Sequence, residues 1–280
     1  MPIRQYIRLL RPVNSSMMGL AVLVGLYMAE PDLNSWTAQN VVLGFITGFT
    51  LTGASMALND YFDRYIDAIN EPGRPIPSGA VSPSQALVYA VVLSIIGLMA
   101  SAFTSIRCLL LALTSVTLST VYNSRGKRTG LLGNMMVSGC IAIPFIYGAL
   151  LVDRLKISNL LAASTAFLSN TGREVTKGIV DAEGDRKYGI NTIAVKYGGR
   201  IASYVAVALY LSAVLITPMP ILIGNPPLGY LLTVALTDMG FISSSLIILK
   251  DPSRENARKV KNMAVFWMFL GLLAFLQLQL

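Results

Sequence analysis

The 280-residue sequence contains no histidine and only two cysteines. The absence of histidine excludes imidazole general bases, His-ligated zinc or haem, and nucleophiles that are paired with histidine. Cys108 and Cys140 lie in apolar runs outside any CxxC pair, so we expect neither to bind a metal nor to take part in redox chemistry. Any catalysis must therefore use carboxylates, amines, hydroxyls or a metal ion.

Charged residues are also scarce. They make up 13% of the chain, whereas 54% is hydrophobic and the mean hydropathy is +0.62. This balance excludes an ordinary soluble domain, a disordered chain and a disulfide scaffold. The formal net charge of +8 is too thinly spread for a nucleic-acid surface, so no nucleic-acid partner is expected, and nothing implies a protein partner.

Nine segments are apolar and of about the length needed to cross a bilayer as helices. They cover residues 15–29, 40–62, 84–104, 107–122, 131–152, 157–179, 201–223, 228–249 and 262–280. The sequence therefore predicts an all-α, multi-pass membrane protein in which residues 1–280 form a single domain.

Basic residues predict the orientation of these spans, because Lys and Arg are retained on the cytoplasmic side of short loops. With nine spans, all but three of the 22 Lys and Arg residues fall on the side of the amino terminus. The exceptions are Arg107, Arg154 and Lys156. We therefore expect a cytoplasmic amino terminus and a carboxyl terminus outside.

The second span ends in NDYFDRYID, residues 59–67, which places Asp60, Asp63 and Asp67 at i, i+3 and i+7. These positions share one stripe of a helix. Three like charges on an apolar helix need a counter-charge, and Mg²⁺ suits them because it prefers oxygen ligands and shares them with substrate phosphates. A solvated, fraying helix end is the alternative.

The sixth span runs into a second acidic cluster, where Glu174, Asp181 and Asp185 share one face at i, i+7 and i+11. Both spans are even-numbered and therefore end at the same membrane face. Two such clusters facing each other could hold Mg²⁺ ions that bridge a diphosphate and neutralise it as a leaving group. Ordinary helix ion pairs of Lys177 with Glu174 or with Asp181 are the alternative.

Cationic loops follow two of the spans. Arg74 lies in a proline-rich loop, residues 70–79, and offers a planar fork of donors for phosphate oxygens. Arg125, Lys127 and Arg128 follow the fourth span; they are either diphosphate ligands or simple markers of the cytoplasmic side.

Two single polar residues add further candidates. Asn14, near the start of the first span, either donates a hydrogen bond into a cavity on the cytoplasmic side or caps the helix. Asp238 lies near the middle of the eighth span and is expected to face the interior of the bundle.

Taken together, NDYFDRYID, RPIPSG at residues 74–79 and DAEGD at residues 181–185 resemble the UbiA superfamily of intramembrane prenyltransferases. The resemblance extends over most of the chain. It implies nine helices around a central, lipid-accessible cavity under a cytoplasmic cap. In that cavity, Mg²⁺ assists the departure of an allylic diphosphate and a second substrate captures the prenyl group.

The resemblance also assigns roles to individual residues. The positions that match the metal-binding and catalytic motifs are Asp60, Asp63, Asp67, Asp181 and Asp185. The positions that match substrate-binding groups are Asn59, Arg74, Tyr122, Lys127 and Lys177, with Arg128 and Asn14 as further candidates.

Residues 172–198 resemble the archaeal members that join a geranylgeranyl chain to geranylgeranylglyceryl phosphate in ether-lipid synthesis. The expected partners are a prenyl diphosphate and a lipophilic acceptor drawn from membrane lipid. Aromatic prenyltransferases of quinone pathways and chlorophyll-type prenyltransferases are the alternatives among enzymes. A divalent-cation transporter is the alternative of another class, although it would distribute its acidic residues through the membrane depth.

Overall fold

The computed structural model describes residues 3–278 as helices joined by short connections, with no β-strand in that range. The all-α prediction is confirmed. The helices are α1 (Ile3–Leu10), α2 (Pro12–Ala29), α3 (Ala38–Asn70), α4 (Pro83–Ala102), α5 (Ile106–Ser124), α6 (Leu131–Leu150), α7 (Ile157–Lys187), α8 (Ile193–Ile216), α9 (Met219–Ile223), α10 (Leu228–Lys250) and α11 (Arg254–Leu276). Short 3₁₀ turns occupy Leu33–Ser35 and Gly126–Thr129.

Eight helical segments within residues 3–278 are long and apolar enough to cross a membrane, and α7 is not among them. The predicted sixth span, residues 157–179, is nevertheless helical as part of α7. It is less apolar because it carries polar side chains that are buried, among them Ser158, Ser169, Asn170 and Thr171. A multi-pass membrane protein is confirmed, whereas the ninth crossing, the central cavity and the cap stay predictions.

Several helices extend beyond the apolar segments from which they were predicted. Both acidic motifs are helical, because α3 continues to Asn70 and α7 to Lys187. α11 begins eight residues before its predicted span, at Arg254, where the Ser253 hydroxyl accepts a hydrogen bond from the backbone N–H of Asn256. The last two residues of the predicted span 262–280 lie outside the described part of the chain.

α8 also begins earlier than predicted, at Ile193 instead of residue 201. Its first turn is separated from the rest by Gly198, whose φ of 86° is incompatible with a continuous α-helix. Glycine adopts this conformation without the steric cost that a Cβ would bring. The apolar pattern predicted only the part of α8 after this kink.

The chain divides into two compact units. The first runs to Ser124 and includes Ile143–Arg154, and the second comprises Arg125–Ala142 and the chain from Leu155 onward. The division falls inside α6, next to Pro144, which cannot donate a helical hydrogen bond. The prediction of a single domain over residues 1–280, four of which are not described, stays a prediction.

Each unit has its own apolar core. In the first unit, Leu9 of α1 is buried with Ala57 of α3, Ala86 and Ala90 of α4, and two residues of the loop between those helices, Ile76 and Val81. In the second unit, α7, α8, α10 and α11 share a core that includes Val175, Ala202, Tyr210, Phe241 and Val260. These cores hold the helices that carry the two acidic motifs.

Candidate active site

The first acidic motif lies on the last three turns of α3. Asp60 and Asp67 are only 3% and 6% exposed, and Asp63 is half-buried. Solvated carboxylates at a fraying helix end would be exposed, so this burial contradicts the fraying alternative. Buried carboxylates require charged or hydrogen-bonding partners.

Two arginines supply those partners. Arg74 Nη1 lies 2.6 Å from Asp67 Oδ2 and 3.4 Å from Asp60 Oδ1. Arg11 Nη2 lies 2.5 Å from the same oxygen of Asp60. The structure thus brings the predicted residues Asp60, Asp67 and Arg74 together and adds Arg11 to them.

Arg11 was missed as a site residue because the sequence indicated only that it belongs to the basic amino terminus. It is 49 residues from Asp60 in the chain, so no local spacing joins the two. Its backbone has a left-handed conformation, with φ 48° and ψ 68°, directly before Pro12 at the start of α2. This conformation costs a non-glycine residue roughly 1–2 kcal/mol, and such strain is typical of functional positions. The only sequence signal was the Arg-Pro pair itself.

Arg74 is carried by a folded loop between α3 and α4. The backbone N–H of Arg74 bonds to the Glu71 carbonyl at 2.9 Å, and that of Ser78 bonds to the Arg74 carbonyl at 3.0 Å. The loop is anchored by the buried side chains of Ile76 and Val81. The guanidinium of Arg74 is therefore presented to the carboxylates from an ordered backbone.

Asn59 lies beside the first motif and bonds to the end of α5. Its Nδ2 donates to Asn123 Oδ1 at 3.0 Å, and Asn123 Nδ2 donates to the Ser55 carbonyl at 3.4 Å. This contact joins α3 to the residue directly after the candidate Tyr122. Tyr122 itself is half-buried. Asn123 is a second residue that sequence reasoning missed, although it lies between two polar neighbours in the motif YNSRGKR.

The remaining candidates of the first half of the chain are more dispersed. Lys127 and Arg128 lie on the 3₁₀ turn Gly126–Thr129 of the second unit, where Lys127 is half-buried and Arg128 exposed. Asn14 is exposed on the first turn of α2. The capping alternative for Asn14 is wrong, because α2 begins two residues earlier, at Pro12, and its N-cap is Arg11.

The second acidic motif lies on the last turns of α7. Lys177 Nζ is 3.7 Å from Asp181 Oδ2, so these two residues form an ion pair. Glu174 contacts Arg173 instead of Lys177. The pKa of Asp185 is raised to about 6, first by burial and next by the neighbouring charge of Asp181. A carboxyl group with this perturbation is stabilised in its charged form by a bound cation.

Asp238 of α10 makes one strong contact in the second unit. Thr217, directly after α8, donates its hydroxyl to Asp238 Oδ2 at 2.7 Å. The other carboxyl oxygen is buried without a hydrogen-bond partner in the described structure. The side chain is half-buried against the end of α8, in agreement with its predicted inward orientation.

The donor chemistry of both motifs fits a magnesium ion, since carboxylate oxygens are the ligands it prefers. Among residues 3–278, no three Asp, Glu or Cys side chains converge into a ready-made metal cage. That arrangement is compatible with Mg²⁺, which usually takes one or two protein carboxylates and completes its octahedron with water and substrate phosphates. The arginines beside Asp60 and Asp67 carry planar forks of donors, a geometry that suits phosphate oxygens.

Comparison with known proteins gives consistent matches along the chain. Two relatives are both digeranylgeranylglyceryl phosphate synthases. That of Methanothermobacter thermautotrophicus is 34% identical over 271 residues, which cover 96% of this chain and 94% of the relative. That of Methanopyrus kandleri is 35% identical over 273 residues, which cover 98% of each chain.

Solved structures match as well. A structure described as that of digeranylgeranylglyceryl phosphate synthase in membranes has a TM-score of 0.86 and 28% identity and covers 98% of this chain and 97% of its own. A UbiA homolog from Archaeoglobus fulgidus, solved with DMAPP and Mg²⁺ bound, has a TM-score of 0.74 and covers 97% of this chain and 99% of its own. At 18% identity, this second similarity concerns the fold alone.

The model of the UbiA prenyltransferase family matches residues 18–273. This range includes both acidic motifs and every candidate residue except Arg11 and Asn14. The chain therefore belongs to the UbiA prenyltransferase family.

Proposed function

We propose that this chain transfers a geranylgeranyl group from its diphosphate to the hydroxyl of geranylgeranylglyceryl phosphate, a step of archaeal ether-lipid synthesis. The observation that carries the proposal is the similarity over nearly the whole chain to proteins named digeranylgeranylglyceryl phosphate synthase. The contacts of Asp60 and Asp67 with two arginines support it, because they concentrate both signs of charge where a metal and a diphosphate would bind.

Five carboxylates are the proposed metal-binding and catalytic side chains: Asp60, Asp63, Asp67, Asp181 and Asp185. The proposed ion is Mg²⁺, and the fold relative from Archaeoglobus fulgidus, solved with DMAPP and Mg²⁺, supports this choice. When bound, Mg²⁺ neutralises the diphosphate and makes it a better leaving group.

The proposed role of Arg74 and Arg11 is to bind diphosphate oxygens. Each guanidinium carries five donors in a planar fork that matches phosphate geometry. Contacts with Asp60 and Asp67 hold both arginines beside the first acidic motif. The further proposed substrate-binding residues are Asn14, Asn59, Tyr122, Lys127, Arg128 and Lys177.

The proposed reaction breaks the bond between C1 of the prenyl chain and the diphosphate oxygen, and the electron pair leaves with the diphosphate. The acceptor's hydroxyl oxygen forms a new bond to C1, and its proton passes to the released diphosphate. Electrostatic stabilisation of the leaving group supplies most of the rate enhancement. The apolar helices keep water from competing with the acceptor.

The proposed topology places the amino terminus and both acidic motifs at the cytoplasmic face and the carboxyl terminus outside. The uneven distribution of Lys and Arg between the two sides supports this orientation. The acceptor and the prenyl chain would both reach the site from the surrounding lipid.

A product analysis with a panel of acceptors tests the proposed function. The purified chain in lipid nanodiscs receives Mg²⁺, geranylgeranyl diphosphate and either geranylgeranylglyceryl phosphate, 4-hydroxybenzoate or a chlorophyllide, and products are identified by mass spectrometry. We expect product only with the phosphoglyceryl ether and none after addition of EDTA. Product with another acceptor, or Mg²⁺ flux through liposomes without prenyl transfer, would refute the proposal.

A further inference from the structure

α7 carries a second pair of opposite charges, in the part of the helix that lies within the predicted sixth span. Arg173 Nη1 is 2.6 Å from Glu174 Oε1, and the two side chains are 26% and 12% exposed. Ionisable residues within a predicted membrane span are costly and are usually retained for a function.

Mutual neutralisation does not account for the pair well. Consecutive side chains diverge on a helix, so this is not the usual spacing of a helix ion pair. Arg173 Nε is buried and has no hydrogen-bond partner in the described structure. A half-buried cation with one buried, unsatisfied donor carries a desolvation cost that a pair of apolar side chains would avoid. Arg173 therefore has too few acceptors in the protein itself.

The direction in which Arg173 points follows from the packing of α7. Thr176 shares a hydrogen bond of 3.0 Å with Tyr210 of α8. Gly172 lies so close to the ring of Tyr210 that a Cβ would approach it to 2.9 Å. Gly172 and Thr176 thus face α8, and the stripe one position further along the helix, formed by Arg173, Lys177 and Asp181, stays partly exposed.

Along this stripe, Arg173 lies eight residues before Asp181. At about 1.5 Å of rise per residue, the separation is about 12 Å along the axis. The proposed reaction brings four groups into a line: the diphosphate, the carbon that it leaves, the attacking oxygen and the phosphorus of the acceptor. They span on the order of 10 Å, counting an attack distance of about 3 Å. The acceptor's phosphate would then lie at the depth of Arg173.

We propose that Arg173 binds the phosphate of the acceptor and that Glu174 orients its guanidinium by holding one end of it. The assignment rests on the proposed function, whose acceptor is an alcohol that also bears a phosphate. A phosphate in an apolar environment needs a nearby cation with several donors, and arginine offers a planar fork for phosphate oxygens where lysine offers a point charge. Arg173 is a substrate-binding residue in this assignment and Glu174 a positioning residue.

The test compares two variants that both lack the Glu174 charge. E174Q keeps the arginine, whereas the double variant R173Q/E174Q loses it without leaving an unpaired carboxylate behind. The kcat/KM of each is measured in nanodiscs with geranylgeranylglyceryl phosphate and with its dephosphorylated alcohol, geranylgeranylglycerol. R258Q, which changes an exposed arginine of α11, serves as the matched control.

We expect the preference for the phosphorylated acceptor over the alcohol to be about 10- to 100-fold lower in R173Q/E174Q than in E174Q, the range for charge-assisted hydrogen bonds. The KM for geranylgeranyl diphosphate should be the same in both variants. The double variant R173K/E174Q should regain part of the preference that R173Q/E174Q loses.

Equal preferences in the wild type, E174Q and R173Q/E174Q, with an active wild type, would overturn this assignment and leave the proposed function intact. So would a parallel loss of activity with both acceptors, which indicates a merely structural role. If the wild type accepts only the alcohol or another acceptor, both the assignment and the proposed acceptor are wrong.

Discussion

Replacement of Arg74 by glutamine should strengthen the binding of Mg²⁺ in the absence of diphosphate, although it weakens the enzyme. Arg74 lies 2.6 Å from Asp67 and 3.4 Å from Asp60. It therefore competes with a metal ion for both carboxylates. Once Arg74 is removed, only Arg11, which contacts Asp60, still competes with the metal for these carboxylates.

The magnitude follows from Coulomb's law and the exposure of the side chain. Unit charges about 4 Å apart interact by about 4 kcal/mol at an effective dielectric constant of about 20. Because Arg74 is 30% exposed, we expect solvent screening to reduce this to about 1–2 kcal/mol. A change of about 1.4 kcal/mol corresponds to a tenfold tighter dissociation constant for Mg²⁺.

Isothermal titration of detergent-purified protein with Mg²⁺ measures this change. Arg64→Gln is the matched control, because Arg64 lies on α3 with the aspartates but donates to the Tyr61 carbonyl and stacks on the rings of Tyr61 and Tyr65. Arg74→Gln should also raise the KM for geranylgeranyl diphosphate, since a phosphate donor is lost. Unchanged or weaker Mg²⁺ binding, or equal strengthening in both variants, would refute the competition between arginine and metal.

Three further predictions follow from the site and its supports. Asp60→Asn or Asp181→Asn should reduce kcat at least about 100-fold. Membrane insertion, measured by detergent extraction and gel filtration, should be unchanged, and full activity would contradict the metal assignment. Gly130→Ala should lower the free energy of unfolding by about 2 kcal/mol, and Gly189→Ala by only about 1 kcal/mol. Both glycines have a φ of 66°, but only a Cβ on Gly130 would meet a backbone oxygen, at 2.7 Å; equal losses would contradict this reasoning. With EDTA present, wild-type stability should fall as the pH rises from about 4 to about 6, because the pKa of Asp185 is raised in the folded state from 3.8 to about 6. Asp185→Asn should flatten that slope in thermal unfolding scans.

The acidic motifs were predictable from sequence because they depend on local spacing. Asp60, Asp63 and Asp67 recur at helical intervals, and the structure continues α3 through all three of them. The same holds for Asp181 and Asp185 on α7. The sequence also indicated Arg74, because a planar fork of donors lies there in a proline-rich loop directly after the first motif.

Contacts between distant residues were not predictable in this way. The pairing of Arg11 with Asp60 and of Asn59 with Asn123 depends on how α2 and α5 pack against α3. Helix α1 was missed because eight residues are too few for a membrane span. The polarity of α7 was also hard to interpret, since buried Ser, Asn and Thr side chains lower the hydropathy of a helix that is nevertheless packed inside the protein.

The loop between α3 and α4 has an entropic consequence. Its turns are closed by main-chain hydrogen bonds, and Ile76 and Val81 anchor it in the core of the first unit. An arginine on a flexible loop loses backbone conformational entropy when it binds an anion. Here the loop has lost most of that entropy already during folding. The loop is therefore a rigid support, and binding of an anion requires little more than rotation about the side-chain bonds of Arg74.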